Sequence, residues 1–359
     1  MSNLNRIFIL MTSLFFCACV ACNDKDEEFE IVDQNPDPNP IQTYTNPVFQ
    51  PVLADPSVLR EGDYFYAYGT EDDWGPEGGH KLVPIVRSTD LVDWELVGNA
   101  FISKPTWKNS GGIWAPDVAK VNGKFHMYYS YSTWGDPDPG IGLAIADKPE
   151  GPFIDQGKLF LSSEIGVANS IDAFYIEDDG KKFLFWGSFH GIYAIELTDD
   201  GKNLKGEKKK IGDNHLEASL IHKRNGKYVY FGSMGSCCEG ANSSYRVVVA
   251  VADDILGPYL DKNGNDIAEG FHGELILEGN SVDYGFAGPG HNGHIMTDDE
   301  GDDWILYHSI PKNNPLLSNG ASRRPLMLDQ IKWTENIWPV IEGKAPSLSS
   351  QKAPKFDIQ

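Results

Sequence analysis

The sequence predicts an all-β protein built as a single five-bladed β-propeller, on three observations. A glycine-containing turn followed by an aromatic strand recurs five times, the spacing is that of a blade, and the recurring strands are apolar on both faces. The turns are Glu61-Gly62-Asp63, Asn122-Gly123-Lys124, Asp179-Gly180-Lys181, Asn225-Gly226-Lys227 and Glu300-Gly301-Asp302. Asx-Gly between β-rich runs is a strong hairpin signal, because Gly accepts the positive φ that a tight hairpin turn requires. The turn glycines lie 61, 57, 46 and 75 residues apart, enough for four short strands each.

The strands after these turns are Tyr64–Tyr68, Phe125–Tyr129, Phe183–Trp186, Tyr228–Phe231 and Trp304–Tyr307. Hydrophobicity on both faces marks a sheet buried on both sides, as a blade between two neighbours is. Outer strands are expected at Arg87–Trp94, from Ala144-Ile145-Ala146-Asp147 to Gly151-Pro152-Phe153, and from Val249 to Tyr259. No long stretch has helical periodicity. A β-sandwich would not produce the five-fold recurrence.

Before and after the repeats the chain changes character. Residues 1–21 carry one charge, Arg6, and an apolar run from Ile7 to Phe16, which is too short to span a bilayer and has signal-peptide proportions. Ala21-Cys22 resembles the lipobox of bacterial lipoproteins, with Cys22 as the acylated first residue. The acidic stretch Asn23-Asp24-Lys25-Asp26-Glu27-Glu28 is similar to the surface-export signal of Bacteroidetes-type lipoproteins. An outer-membrane, cell-surface lipoprotein is therefore expected, held by its lipid alone. Residues 22–45, polar and rich in Pro, Asn and Asp, read as a flexible tether. The propeller is expected over 46–345, and 346–359 as an irregular tail.

Composition narrows the partners. There are 30 Lys+Arg against 52 Asp+Glu, a net charge of −22, which repels phosphate backbones and excludes nucleic acid as an expected partner. A neutral carbohydrate meets no such repulsion. With 9 Trp, 15 Tyr and 18 Phe the chain is not intrinsically disordered. Three of five cysteines fall at positions 17, 19 and 22. The remaining pair, Cys237-Cys238, bridges only with strain, so no disulfide framework is expected and the fold must stand on its core as a monomer.

The first strand of each repeat should line the central channel, and several carry an acid at its start: Asp55, Asp117, Asp172 and Glu217. A propeller brings such positions from different blades to one rim. Glycoside hydrolysis needs a protonated carboxyl to assist the leaving group and an ionised one to activate water. A third carboxylate nearby would raise the acid's pKa by repulsion.

In order, Ala54-Asp55-Pro56-Ser57, Trp114-Ala115-Pro116-Asp117, Ser170-Ile171-Asp172, Leu216-Glu217-Ala218 and Gly288-Pro289-Gly290-His291-Asn292 resemble glycoside hydrolase family 43. That family is five-bladed and inverting, and acts on arabinose- and xylose-containing polysaccharides. The resemblance implies Asp55 as general base, Glu217 as general acid and Asp172 as pKa modulator, with Asp117 a structural acid that satisfies backbone amides. A narrower likeness, to endo-α-1,5-arabinanases, runs through Trp186-Gly187-Ser188-Phe189-His190-Gly191 and Gly232 to Tyr245. It implies Trp114, Asn169, Ser188, Phe189, His190 and Arg324 at the substrate. It also implies His291 as a channel histidine that helps hold a largely water-coordinated cation, usually calcium, on the axis. A plain hydrogen-bonded histidine is the other reading of His291, and histidine is a poor direct ligand for a hard ion. No organic cofactor is implied. Two positions depart from the arabinanase pattern: His190 replaces the usual Trp, and Ala54 precedes the base where His or Tyr is common. Both were expected to border the sugar.

Three alternatives remain open at this point. An exo-acting α-L-arabinofuranosidase or β-xylosidase of the same family differs from an endo-enzyme in loop shape. A non-catalytic surface glycan-binding lipoprotein would typically lack one of the three acids. The five-bladed fructan hydrolases fit poorly, because Ile171 and Ala218 occupy positions where they carry Arg and usually Cys.

Overall fold

In the computed structural model, which describes residues 42–334 and 337–357, five four-stranded antiparallel sheets follow one another along the chain. Blade 1 is Ser57–Glu61, Tyr64–Tyr68, Pro84–Ser88 and Glu95–Asn99; blade 2 is Gly112–Val121, Lys124–Ser132, Gly140–Ala146 and Ile154–Leu161. Blade 3 is Phe174–Asp178, Lys181–Trp186, Ile192–Leu197 and Leu204–Gly212, and blade 4 is Glu217–Arg224, Lys227–Met234, Arg246–Ala252 and Glu274–Leu277. Blade 5 is Phe286–Gly290, Asp303–Pro311, Leu326–Thr334 and Trp338–Val340, with Met296–Thr297 added beside its second strand. The five-bladed propeller expected from the repeats is the observed fold. The leader, Cys22 and the tether up to residue 41 lie outside the described residues.

The second strand of each blade explains why the sheets stack. Phe125, Met127 and Tyr129 face one neighbouring blade while Tyr128 faces the other, and nearly every residue of Lys124–Ser132 and Lys227–Met234 is buried. The apolar core therefore lies between sheets. One cluster joins blades 1 and 2 through Tyr68, Ile85, Phe125 and Tyr129. Another joins blades 2 and 3, where Tyr128 and Tyr175 stack at 5.4 Å between ring centroids. A third joins blades 5 and 1 through Leu306, Leu328, Val58 and Phe65.

Two expectations shift. The expected strand Arg87–Trp94 ends at Ser88, because Ser88 Oγ and Asp90 Oδ1 take the backbone N–H groups of residues 90 to 93 into a turn. The tail expected to be irregular instead carries the short strand Gln351–Lys352, paired with Thr43–Tyr44, and seats Phe356 at 4.6 Å from Phe65. These few residues bury apolar surface that blade 1 leaves open.

Each blade is built from consecutive chain, so no blade among the described residues mixes strands from the two ends of the chain, and the ring closes through the small Thr43–Tyr44 and Gln351–Lys352 sheet and other contacts. Val48 N donates to Leu326 O and Leu53 N to Arg324 O, each at 2.9 Å. The Asn46 side chain imitates a strand residue, donating to Leu328 O and accepting from Leu328 N, both at 2.8 Å. Asn46→Ala would leave both backbone groups of Leu328 without these partners. The unfolding midpoint should fall by several degrees, the effect of about 1–3 kcal/mol in a domain of this size; an unchanged midpoint by circular dichroism would remove Asn46 from the closure.

Candidate active site

Because paired strands run antiparallel, the start of each first strand lies beside the end of the second: Ser57 faces Tyr68, Phe174 faces Phe185, and Glu217 faces Ser233. All these mouths open on one face of the ring. At each mouth one residue adopts a left-handed backbone: Asp55, Ala115, Asp172, Ala218 and His291, with φ between 41° and 60°. Non-glycine residues hold that conformation only where their surroundings enforce it.

Hydrogen bonds from the preceding blade do so. The backbone N–H of Ala115 donates to Thr70 Oγ1 at 2.8 Å, that of Asp172 to Ser130 Oγ at 2.9 Å, and that of His291 to Ser233 Oγ at 2.9 Å. The N–H of Asp55 donates to His308 Nδ1 at 3.1 Å, so blade 5 holds blade 1. Between blades 3 and 4 the side chains meet instead: Ser188 Oγ donates to Glu217 Oε2 at 2.7 Å. An aromatic-x-Ser/Thr pattern at the end of the second strands of blades 1 to 4 (Tyr68-Gly69-Thr70, Tyr128-Tyr129-Ser130, Trp186-Gly187-Ser188, Phe231-Gly232-Ser233) was present in the sequence and marks these partners, whereas in blade 5 the pattern falls on Ser309 and the partner is His308. Sequence reasoning missed Thr70, Ser130 and His308 because it followed the acids alone.

The structure gathers the three expected acids at the axis. Asp55 receives Arg324 Nη1 at 3.0 and 3.1 Å on its two oxygens and the Thr70 hydroxyl at 2.6 Å; His291 Nδ1 lies 3.3 Å away. Burial alone would raise its pKa, but Arg324, helped by His291 and the Thr70 hydroxyl, holds the carboxyl well below the usual range. His308 Nδ1 accepts a hydrogen bond and so carries no proton; burial pushes this ring down to about 3. Arg324 thus forms a largely buried ion pair with Asp55 at the axis.

Burial pushes Glu217 up to about 7, against hydrogen bonds from Ser188 and Tyr245, with the charge of Asp55 adding to the rise. Asp172 is raised well above the ordinary carboxyl by burial, then by Glu217 and Asp55. Burial thus favours a proton on this pair, while Arg324 favours an ionised Asp55. Tyr245, also missed, stacks on His308 with centroids 5.8 Å apart, linking acid and base sides. Asp117 is spent on structure: it accepts Tyr175 N at 2.7 Å and Ser57 Oγ at 2.8 Å and meets His294 Nε2 at 3.0 Å.

The remaining substrate candidates fall on the same rim. Asn169 Nδ2 donates to Ser188 O at 3.1 Å, and Phe189, 39% exposed, stands beside exposed His190. Trp114 lies 5.7 Å from Trp134, which is 80% exposed and was overlooked in a loop with no motif. Ala54 corrects an expectation: it does not border the cleft but is fully buried against Val52, Trp74 and Leu317. Cys237 and Cys238 correct another, being joined in a disulfide. With a sequence separation of one it ties no distant segments, so the fold still rests on its core.

Below Asp55 the axis channel is lined by His291, Asn292, Ser219 and Asp117. Among the described residues no group of three or more His, Cys, Asp or Glu could hold a metal, and neither Asn292 Oδ1 nor Ser219 Oγ has a hydrogen-bond partner. Free oxygen acceptors beside the imidazoles of His291 and His294, which both line this cavity, fit a hard cation that keeps most of its water.

Buried carboxyls with pKa values pushed apart, in a rim set with exposed aromatic rings on a propeller axis, define a glycosidase. The chain belongs to glycoside hydrolase family 43, whose profile, "Glycosyl hydrolases family 43", matches residues 44–339. It is 29% identical over 322 residues to an extracellular exo-α-(1→5)-L-arabinofuranosidase of Cellvibrio japonicus, covering 81% of this chain and 87% of that protein. It is 30% identical over 306 residues to an extracellular endo-α-(1→5)-L-arabinanase of Bacillus subtilis, covering 80% and 87%. Among solved structures, the Cellvibrio cellulosa α-L-arabinanase complexed with arabinohexaose superposes with TM-score 0.69 at 28% identity, over 82% of this chain and 97% of that one. An exo-1,5-α-L-arabinanase from a bovine ruminal metagenomic library gives 0.69 at 30%, over 84% and 99%.

His308→Leu removes the acceptor that holds the strained Asp55 backbone. Turnover should fall about tenfold or more with KM nearly unchanged, whereas His308→Asn, which returns an acceptor near the Nδ1 position, should recover much of it. Equal losses in both, by steady-state kinetics, would count against the joint.

Proposed function

We propose that this glycosidase is an inverting α-1,5-L-arabinan hydrolase in which Asp55 is the general base, Glu217 the general acid and Asp172 the pKa modulator. The observation that carries the reading is the opposed state of the two carboxyls, Asp55 held ionised by Arg324 and Glu217 raised to about 7 by burial. Asp55 takes a proton from water as it attacks the anomeric carbon, and Glu217 gives its proton to the departing glycosidic oxygen. Asp172 keeps a proton in the pair by like-charge repulsion, and Ser188 and Tyr245 orient Glu217. Trp114, Asn169, Phe189 and His190 line the sugar path. His291 and Asn292 would hold a water-coordinated calcium ion, whose positive charge would favour an ionised Asp55.

Endo action is the reading that the Gly232–Tyr245 likeness and the Bacillus relative favour; the Cellvibrio relative and the ruminal structure favour exo action. Product analysis on linear α-1,5-arabinan separates them, a ladder of oligosaccharides meaning endo and arabinose alone exo. No release of sugar from arabinan, with binding retained, would favour a glycan-binding protein.

For the acids, Asp55→Asn and Glu217→Gln should each lose at least about a hundredfold in turnover while staying folded. The acid must be protonated, so wild-type activity should fall as pH rises through about 7, the value to which Glu217 is raised. Asp172→Asn removes a repulsion that favours the protonated acid, so this basic limb should move to lower pH. A limb that stays in place in Asp172→Asn would refute the modulator role.

The protein is further proposed to be a surface lipoprotein acylated at Cys22. Cys22→Ser should leave the membrane fraction in cell fractionation; a variant that stays membrane-bound would refute the assignment.

A further inference from the structure

His126, on the second strand of blade 2, has no part in the reaction above, yet it is 3% exposed and its Nδ1 has no hydrogen-bond partner. An unpaired imidazole nitrogen is costly to bury, so a polar group normally meets it. Along Lys124–Ser132 alternate side chains face blade 3. Ser130, near the channel mouth, holds the Asp172 backbone, and Tyr128 Oη donates to Gly201 O at 2.8 Å. His126 comes next in this row, four residues and roughly 13 Å along the strand from Ser130.

What His126 meets there is a cavity of about 400 Å³, where blade 2 borders the Asp200–Lys202 turn of blade 3. That volume is within the range of small-molecule sites. Gly201, with φ +69°, keeps the space beside the ring open: a Cβ on it would lie 3.4 Å from His126 Nδ1 and 2.8 Å from Tyr128 Oη.

The chemistry of the lining selects a ligand class. Burial pushes His126 down to about 4, so at neutral pH one ring nitrogen donates and the other accepts. The charges around the cavity offset one another. Lys124 pairs with Asp147 at 2.8 Å, and Lys202 stands against Asp200. Asn122 and Gln156 contribute amides, and the apolar lining comes from Ile145, Pro152 and Ile154, the last 56% exposed. An ion of either sign meets repulsion here as well as attraction. A neutral sugar does not: each hydroxyl donates and accepts as the imidazole does, and its C–H faces suit the apolar lining.

We propose that this cavity is a second, non-catalytic carbohydrate site that takes pentose units of arabinan, with His126 bonding a sugar hydroxyl. The proposal rests on the arabinan reading above and adds a holding site at the end of blade 2 away from the channel mouth.

The test titrates arabinohexaose by calorimetry into the Asp55→Asn/Glu217→Gln enzyme, in which the sugar stays intact. A binding event outside the channel is expected, and adding His126→Leu should weaken it about tenfold, the effect of one lost hydrogen bond. In otherwise wild-type enzyme His126→Leu should leave kcat, and KM on arabinotriose, unchanged. Binding unmoved by His126→Leu, or a fall in kcat, which would mark the residue as structural, overturns the site. If His126→Leu does not fold, Gln156→Ala/Lys202→Ala, both exposed positions, is read by the same criteria. Wild-type enzyme inactive on arabinan would sink the arabinan reading itself; active wild type with binding unmoved by the variant sinks the second site alone.

Discussion

The hydrogen bond that passes from one blade to the next at the channel mouth is the joint on which the architecture and the site both depend. Five sheets around an axis must each turn their first strand inward at a point where backbone from two blades meets. A left-handed residue makes that turn at every mouth, and at four of the five its conformation is held from the preceding blade by Thr70, Ser130, Ser233 or His308. Three of the five mouths carry an acid of the site or its immediate neighbour. The strain is therefore not incidental to the chemistry; it aims Asp55 and Asp172 at the axis and places Ala218 N–H against the Asp172 carboxylate.

The second organising fact is an imbalance of charge. Three buried carboxyls share one buried guanidinium, and Arg324 lies directly on only one of them. Asp55 is pushed toward its ionised form as a consequence, and the other two, left to burial and to the charges around them, are pushed toward protonation. The same residue types at equal distances from the arginine would have similar pKa values and could not divide into base and acid. Tyr245, touching both Glu217 and His308, couples the side that must stay charged to the side that must stay neutral.

Packing between blades makes this precision possible. The second strands are buried on both faces, so each hydroxyl at their ends is delivered from a stiff element. The rim, by contrast, is made of loops that carry the exposed rings of Trp134 and Phe189. The buried acids sit at or just before the starts of strands and the exposed rings on loops. Relatives sharing the strands can accordingly differ in how they approach a polysaccharide.

The amino-acid sequence by itself determined the five-fold repeat, because turn glycines and doubly apolar strands are local signals that need no partner to be recognised. It also pointed to Asp55, Asp172 and Glu217, since an acid recurs at the start of several inner strands. It did not reveal that Ala54 turns into the core, that Gln351–Lys352 pairs with Thr43–Tyr44, or that Cys237 and Cys238 are joined. Nor could it assign His308, which stands one residue before the serine that matches the other second-strand ends and bonds a backbone N–H 253 residues away. Which carboxyl is charged was decided only by tertiary structure. A pKa depends on burial and on the distance to Arg324, and both arise when blade 5 closes against blade 1.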